Sequence, residues 1–197
     1  MTTTETNPAC LDATDALRWL RSRVRLRPGR TLVGIDGPEG SGKDGFAEEL
    51  ASLLADGGQQ TLIISLQDYG LDGNLGDCNA AEVRTFIEDV IEPLRNEGSG
   101  RYRTPETDDH GHPRWKCADE QAVILVEGLG LHQAPCCTEA HKLWDLSIWL
   151  DTPDEAPPQP SRSEPSDPHD DPSGPPTEPV SQPDLVVDNT QPHEAID

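Results

Sequence analysis

Apolar positions along the chain fall into two kinds of run, one with helical spacing and one short and continuous. Residues 11–26 place Ala13, Leu17, Leu20 and Val24 on one side of a predicted helix. Thr31–Asp36 is a short apolar run that predicts a buried strand, and residues 43–55 predict a helix with Phe46, Leu50, Leu53 and Leu54 along one stripe. Gly57-Gly58 ends that helix, Thr61–Ser65 predicts a second strand, and residues 67–77 form a polar, glycine-rich loop. Asn79 and Glu82 have the spacing of a capping box. They open a helix whose Val83, Phe86, Ile87, Val90, Ile91 and Leu94 share one buried face, closed by Pro93 and Gly98. Residues 99–120 are polar and are expected to be irregular. Residues 121–126 are continuously apolar, as a strand covered on both faces should be. A short helix near residues 139–144, a strand over 146–150 and a last strand over 184–188 complete the pattern.

Strands alternating with helices predict an α/β fold with a mostly parallel, five-stranded sheet and flanking helices. The domain expected from this pattern spans residues 11–151, after a disordered stretch at 1–10. The composition then changes. Residues 152–183 hold 11 prolines, seven acids and a single arginine, Arg162, with no apolar periodicity. Such a segment buries too little surface to offset its ordering entropy, so disorder is expected there, followed by the last strand and tail at 184–197.

Charge follows the same division. The chain carries a net charge of −22, of which residues 152–197 contribute −10 through 11 acids and one arginine. That excess argues against sequence-independent nucleic-acid binding, which needs Lys and Arg to displace phosphate counterions. Six arginines nevertheless fall between Arg18 and Arg30 without an acid among them. They read as an anion or membrane-surface patch, or as a solvated helix face before the Pro28-Gly29 turn. The five cysteines are odd in number and fit no zinc spacing, and Cys136-Cys137 reads as free thiols or a redox pair. No apolar run reaches membrane-spanning length, and the first residues lack an apolar signal core. A cytoplasmic protein that avoids membranes is expected; oligomeric state is not legible.

The chemistry lies between the first apolar strand and the helix after it. Gly37-Pro38-Glu39-Gly40-Ser41-Gly42-Lys43 fits G-x-x-x-x-G-K, a phosphate-binding loop, in the strand-to-helix context that the motif requires. Its glycines let successive N–H groups face a phosphate, the helix N-terminus adds partial positive charge, and Lys43 reaches the β- and γ-phosphates. The alternative is an ordinary glycine-rich turn. Position 44 departs from the motif: Asp44 stands where a Ser or Thr hydroxyl is usual. A carboxylate also ligates Mg²⁺, but brings negative charge close to the phosphates.

The runs GIDGPEGSGK, SLQDYG, VILVEGLGLH, LWDLSIWLDTP and DLVVDNT, in that order, resemble the bacterial uridine kinase-like proteins, as does EPLRNEGSGRYRTPETD. The resemblance covers roughly residues 12–153 and 184–190. It implies a P-loop fold and ATP-dependent, Mg²⁺-supported phosphorylation of a hydroxyl on a nucleoside or similar small metabolite. It also implies that Asp68 accepts the substrate proton and that Asp44 and Glu127 organise Mg²⁺. Tyr69, Tyr102, Arg103 and His110 match regions that contact the nucleoside. For His110 and His112 beside Asp108 and Asp109, a metal site and a solvated loop are the alternatives.

After the strand at 146–150 the family has an arginine-rich lid, whereas this chain has its proline-rich acidic segment. With Asp44, that gives two departures at phosphate-handling elements. They leave a second functional reading, a catalytically impaired nucleotide-binding or interaction protein that retains the fold. Compensating frameshifts across 156–184 would also produce such a tract.

Overall fold

Thr31–Asp36 forms β2 and is buried at all six positions. It pairs in parallel with β6 (Val123–Glu127) on one side and β7 (Leu146–Asp151) on the other. Both faces of these strands are covered by packed elements, which is why their sequences are continuously apolar. The structure is a computed structural model and describes residues 9–56, 58–71, 79–131, 143–151 and 183–189. Its main sheet has the order β1-β8-β7-β2-β6-β3, every pair parallel, with β1 at Ala9–Asp12, β3 at Thr61–Ser65 and β8 at Leu185–Asp188.

Each sheet face carries its own core, because successive strand side chains point to opposite sides. On one face α1 (Ala13–Arg25) and α2 (Lys43–Ala55) bring Leu17, Leu20, Phe46, Leu50 and Leu54 against Val33, Ile35, Leu125 and Ile148. On the other, α3 (Ala80–Phe86) and the turns after it bring Val83, Phe86, Val90, Ile91 and Leu94 against Leu32, Ile64, Ile124 and Val126. Among the described residues no helix is long and apolar enough to cross a membrane.

The sheet has six strands rather than five, because residues 9–12 pair with β8 from Ala9↔Leu185 to Asp12↔Asp188. Residues 9 and 10 are therefore strand rather than disordered, and Leu11 and Asp12 belong to that strand rather than to the helix. The helix starts at Ala13, and the Asp12 carboxylate caps it by accepting from Asp15 N at 2.9 Å. ACLD has no strand periodicity of its own; the open edge of β8 makes it a strand.

Residues 99–120 are not irregular throughout. β4 (Arg101–Thr107) and β5 (Pro113–Cys117) form an antiparallel hairpin. Exposure at every position of β5 removed the alternation that marks a half-buried strand. The Asp108 carboxylate organises the turn by accepting from His110 N and His112 N, each at 2.8 Å. Those two backbone donors and the His112 ring hold the Asp108 carboxyl below its usual range.

The predicted helix after Asn79 is also not uniform. α3 passes into a π-helical turn at Ile87–Ile91 and then α4 at Glu92–Leu94. Pro93 has no N–H to give the carbonyl four residues back, so the regular ladder cannot run through it. The predicted helix near 139–144 falls largely on residues outside those described, as do the stretch at 1–8 and the proline-rich segment through 182.

The arginine cluster of α1 is mostly taken up locally. Arg18 pairs with Asp15, Arg23 lies 5.1 Å from the Trp19 ring, and Arg27 bonds to Asp145. Arg30 is only 7% exposed, and its guanidinium caps the end of α4 by donating to the carbonyls of Leu94, Arg95 and Gly98. A cation there also meets the negative end of the helix. Arg30→Ala is expected to lower unfolding free energy by about 3 kcal/mol, since several buried carbonyls lose a charged donor at once. Urea unfolding measures this, and a loss under about 0.5 kcal/mol would contradict the capping role.

Candidate nucleotide site

The glycine-rich loop joins the carboxyl end of β2 to the start of α2. Chain connections leave β2 toward β3 and β6 on one side and toward β7 and β8 on the other. Crevices at such switch points are where open α/β sheets bind ligands. Gly37 is required by close approach: a Cβ there would lie 2.5 Å from the Leu150 carbonyl oxygen. Gly42 is required by conformation, with a φ of 76° at the N-cap of α2. No side chain caps that helix start, and the first N–H groups of a helix have no partner within it.

Lys43 folds over this loop. Its ammonium donates to Pro38 O at 2.8 Å, Gly37 O at 3.1 Å and Ser41 Oγ at 3.4 Å. Burial lowers the Lys43 pKa, and the carboxylates of Asp36, Glu127, Asp44 and Glu39 push it back up. One cation thus stands among four acids. Asp36 was not picked out from the sequence. It is 1% exposed, and its carboxylate accepts from Gly37 N at 2.8 Å and Gly130 N at 3.1 Å, tying the loop to the segment after β6. The signal for it was an acid ending an apolar strand directly before the loop.

A cleft of about 220 Å³ opens beside the loop, lined by Glu39, Gly40, Lys43, Gln67, Glu127 and Leu129 among others. Among the described residues Lys43 is the one Lys or Arg lining it. Asp68 is exposed on the short helical turn Gln67–Tyr69, one residue beyond Gln67. That turn is held by Leu66 N donating to Glu127 O at 3.0 Å and by Leu71 N donating to Leu66 O at 3.1 Å. Glu127 is half-buried at the end of β6, and Asp44 is exposed in the first turn of α2.

Of the residues matched to a nucleoside site, Tyr69, Tyr102 and Arg103 lie together. Tyr69 and Arg103 meet: the Tyr69 hydroxyl donates to Arg103 O at 2.8 Å, and the guanidinium lies 5.9 Å from the ring. Arg103 Nε also pairs with Asp89 at 3.3 Å. Burial, with Tyr102 beside it, pushes the Tyr69 hydroxyl far above its usual pKa, and Arg103 offsets only part of this. Tyr102 is 6% exposed and packs in the core, where burial raises its pKa also. A strand position facing inward explains this placement. His110 sits in the exposed hairpin turn, its ring 6.2 Å from that of His112.

Among the described residues no group of three or more His, Cys, Asp or Glu is placed to hold a metal by itself. Mg²⁺ binds through one or two carboxylates together with substrate phosphates. Glu127 lines the cleft beside Lys43, and Asp44 stands in the first turn of α2.

No family model matches the chain. Among curated proteins, the uridine kinase of Leuconostoc citreum (strain KM20) is 28% identical over 138 residues, which cover 63% of this chain and 63% of that protein. The chain is thus similar in sequence to a uridine kinase. It spans less than two thirds of the length of that relative. Among solved structures, one described as a possible uridine kinase from Bacillus stearothermophilus superposes with a TM-score of 0.51 at 20% identity, over 71% of this chain and 82% of that one. That likeness is one of fold, which in this chain is a parallel six-stranded sheet with flanking helices.

Proposed function

We propose that the protein is an ATP-dependent kinase that phosphorylates a hydroxyl of a nucleoside or a similar small metabolite. The observation that carries this reading is Lys43, the cation of a cleft shared by the glycine-rich loop, the turn bearing Asp68, and Glu127. In this reading the loop N–H groups and Lys43 hold the nucleotide phosphates. Asp44 and Glu127 would hold Mg²⁺ with those phosphates, where it supplies charge neutralisation. Asp68 accepts the proton of the substrate hydroxyl as its oxygen bonds to the γ-phosphorus and the bond to ADP breaks. Tyr69 and Arg103 fix the hairpin beside the Asp68 turn. The reading takes the protein as cytoplasmic, where exposed Cys10 and Cys117 stay as thiols.

The test is ADP release with Mg-ATP across a panel of nucleosides and sugars. Release that depends on one acceptor class supports the kinase. Release that no acceptor stimulates contradicts it.

Asp44 favours the second reading, a nucleotide-binding protein without turnover, because it adds an anion where phosphates would lie. Asp44→Thr is expected to tighten Mg-ATP binding about tenfold, the worth of one nearby like charge in a partly solvated site. Calorimetric titration measures it, and unchanged affinity would mean that Asp44 does not face the phosphates.

A further inference from the structure

We infer that Asn189 is a positioning residue that sets the phosphate loop, by fixing the peptide between Ser41 and Gly42. The inference concerns the loop that the proposed function uses, and so rests on that reading. Asn189 follows β8, two strands away from β2 in the sheet. Its Nδ2 donates to the Ser41 carbonyl at 2.7 Å, across 148 positions of sequence. Its own N–H donates to Asp151 O at 3.1 Å, so the residue is anchored to the end of β7.

A trans peptide points its C=O and N–H in opposite directions. Holding the Ser41 carbonyl toward Asn189 therefore turns the Gly42 N–H away from Asn189. The two bonds beside this peptide, Ser41 N to Pro38 O at 3.2 Å and Phe46 N to Gly42 O at 2.9 Å, complete the turn into α2. Fit at this point is close: a Cβ on Gly42 would lie 3.1 Å from Asn189 Nδ2.

The other end of the amide shows why it is an amide. Asn189 Oδ1 is buried and accepts no hydrogen bond among the described residues. Flipping the group would set that oxygen against the Ser41 carbonyl, acceptor to acceptor, so the bonding assigns the orientation. A buried unmet acceptor is unfavourable. An apolar side chain of this size would avoid that cost, and would lack the donor to Ser41. The donor is what the position supplies.

The test is amide exchange by mass spectrometry on the full chain without ligand, comparing wild type with Asn189→Asp and Asn189→Ala. Asn189→Asp keeps the volume and removes the donor. Peptides spanning 38–46 are expected to exchange about tenfold faster in both variants, the effect of one lost hydrogen bond on a local opening. Peptides from β2 and β6 should be unchanged. In the same variants ATP is expected to bind about tenfold more weakly. Wild-type exchange over 38–46 in Asn189→Asp would overturn the inference. Equal acceleration throughout the chain would overturn it too, since it would mark a general support. Should wild type bind no ATP, the proposed function fails, while exchange over 38–46 still decides the role of Asn189.

Discussion

Lys43→Ala is expected to weaken Mg-ATP binding by roughly a hundredfold and to lower acceptor-dependent ADP release by roughly a thousandfold. The size follows from what surrounds the side chain. Its ammonium is the one Lys or Arg lining the cleft among the described residues, and four carboxylates act on it. Removing it leaves Asp36, Glu127, Asp44 and Glu39 without their shared counter-charge. A triphosphate would then meet those carboxylates with no cation lining the cleft among the described residues. Stability should move much less, because burying the ammonium is itself unfavourable and its loop bonds partly offset that. Thermal unfolding beside the binding titration separates the two effects. Binding within threefold of wild type would mean that the loop does not hold phosphate through Lys43. Full binding loss with no wild-type turnover on any acceptor would favour the nucleotide-binding reading over the kinase.

How much of this was legible in the sequence depended on where each element's identity comes from. β2, β6 and β7 are buried on both faces, so their apolar runs are their own signal. The loop was legible because its glycines answer to local needs, a left-handed φ at Gly42 and a close approach at Gly37. β1 was not legible, because it is a strand only through pairing with residues more than 170 positions later. The β4–β5 hairpin was not, because β5 lies exposed and shows no alternation. The site has the same division. Lys43 and the glycines stand in a motif, whereas Asp36 and Asn189 act through bonds to Gly130 N and Ser41 O that no spacing announces. The burial of Tyr102 was not legible for a related reason. The resemblance places it in a region that contacts the nucleoside, and the inward face of the hairpin makes it core.

Asp68→Asn is expected to lower kcat by a factor of about 10² to 10⁴ while leaving Mg-ATP affinity near wild type. The split follows from position. Asp68 lies on a turn beside the cleft, not in the loop proposed to hold phosphate, so its loss should not be felt by the nucleotide. The turn is firmly placed. Leu66 is 1% exposed beneath it, and Gly128 leaves the room, since a Cβ there would lie 2.4 Å from Leu66. The Tyr69 hydroxyl bonds the other side of the turn to Arg103 O at 2.8 Å. An asparagine keeps the shape and cannot take a proton, so the variant removes the base alone. Glu127 is the competing candidate, half-buried at the end of β6 and lining the same cleft. Glu127→Gln should instead raise the Mg²⁺ concentration needed for half-maximal turnover, because its expected role is toward the metal. Steady-state kinetics at varied Mg²⁺ and varied acceptor separate the two carboxylates. If Asp68→Asn retains kcat while Glu127→Gln loses it at saturating Mg²⁺, the roles are exchanged, and the base of the proposed reaction is Glu127.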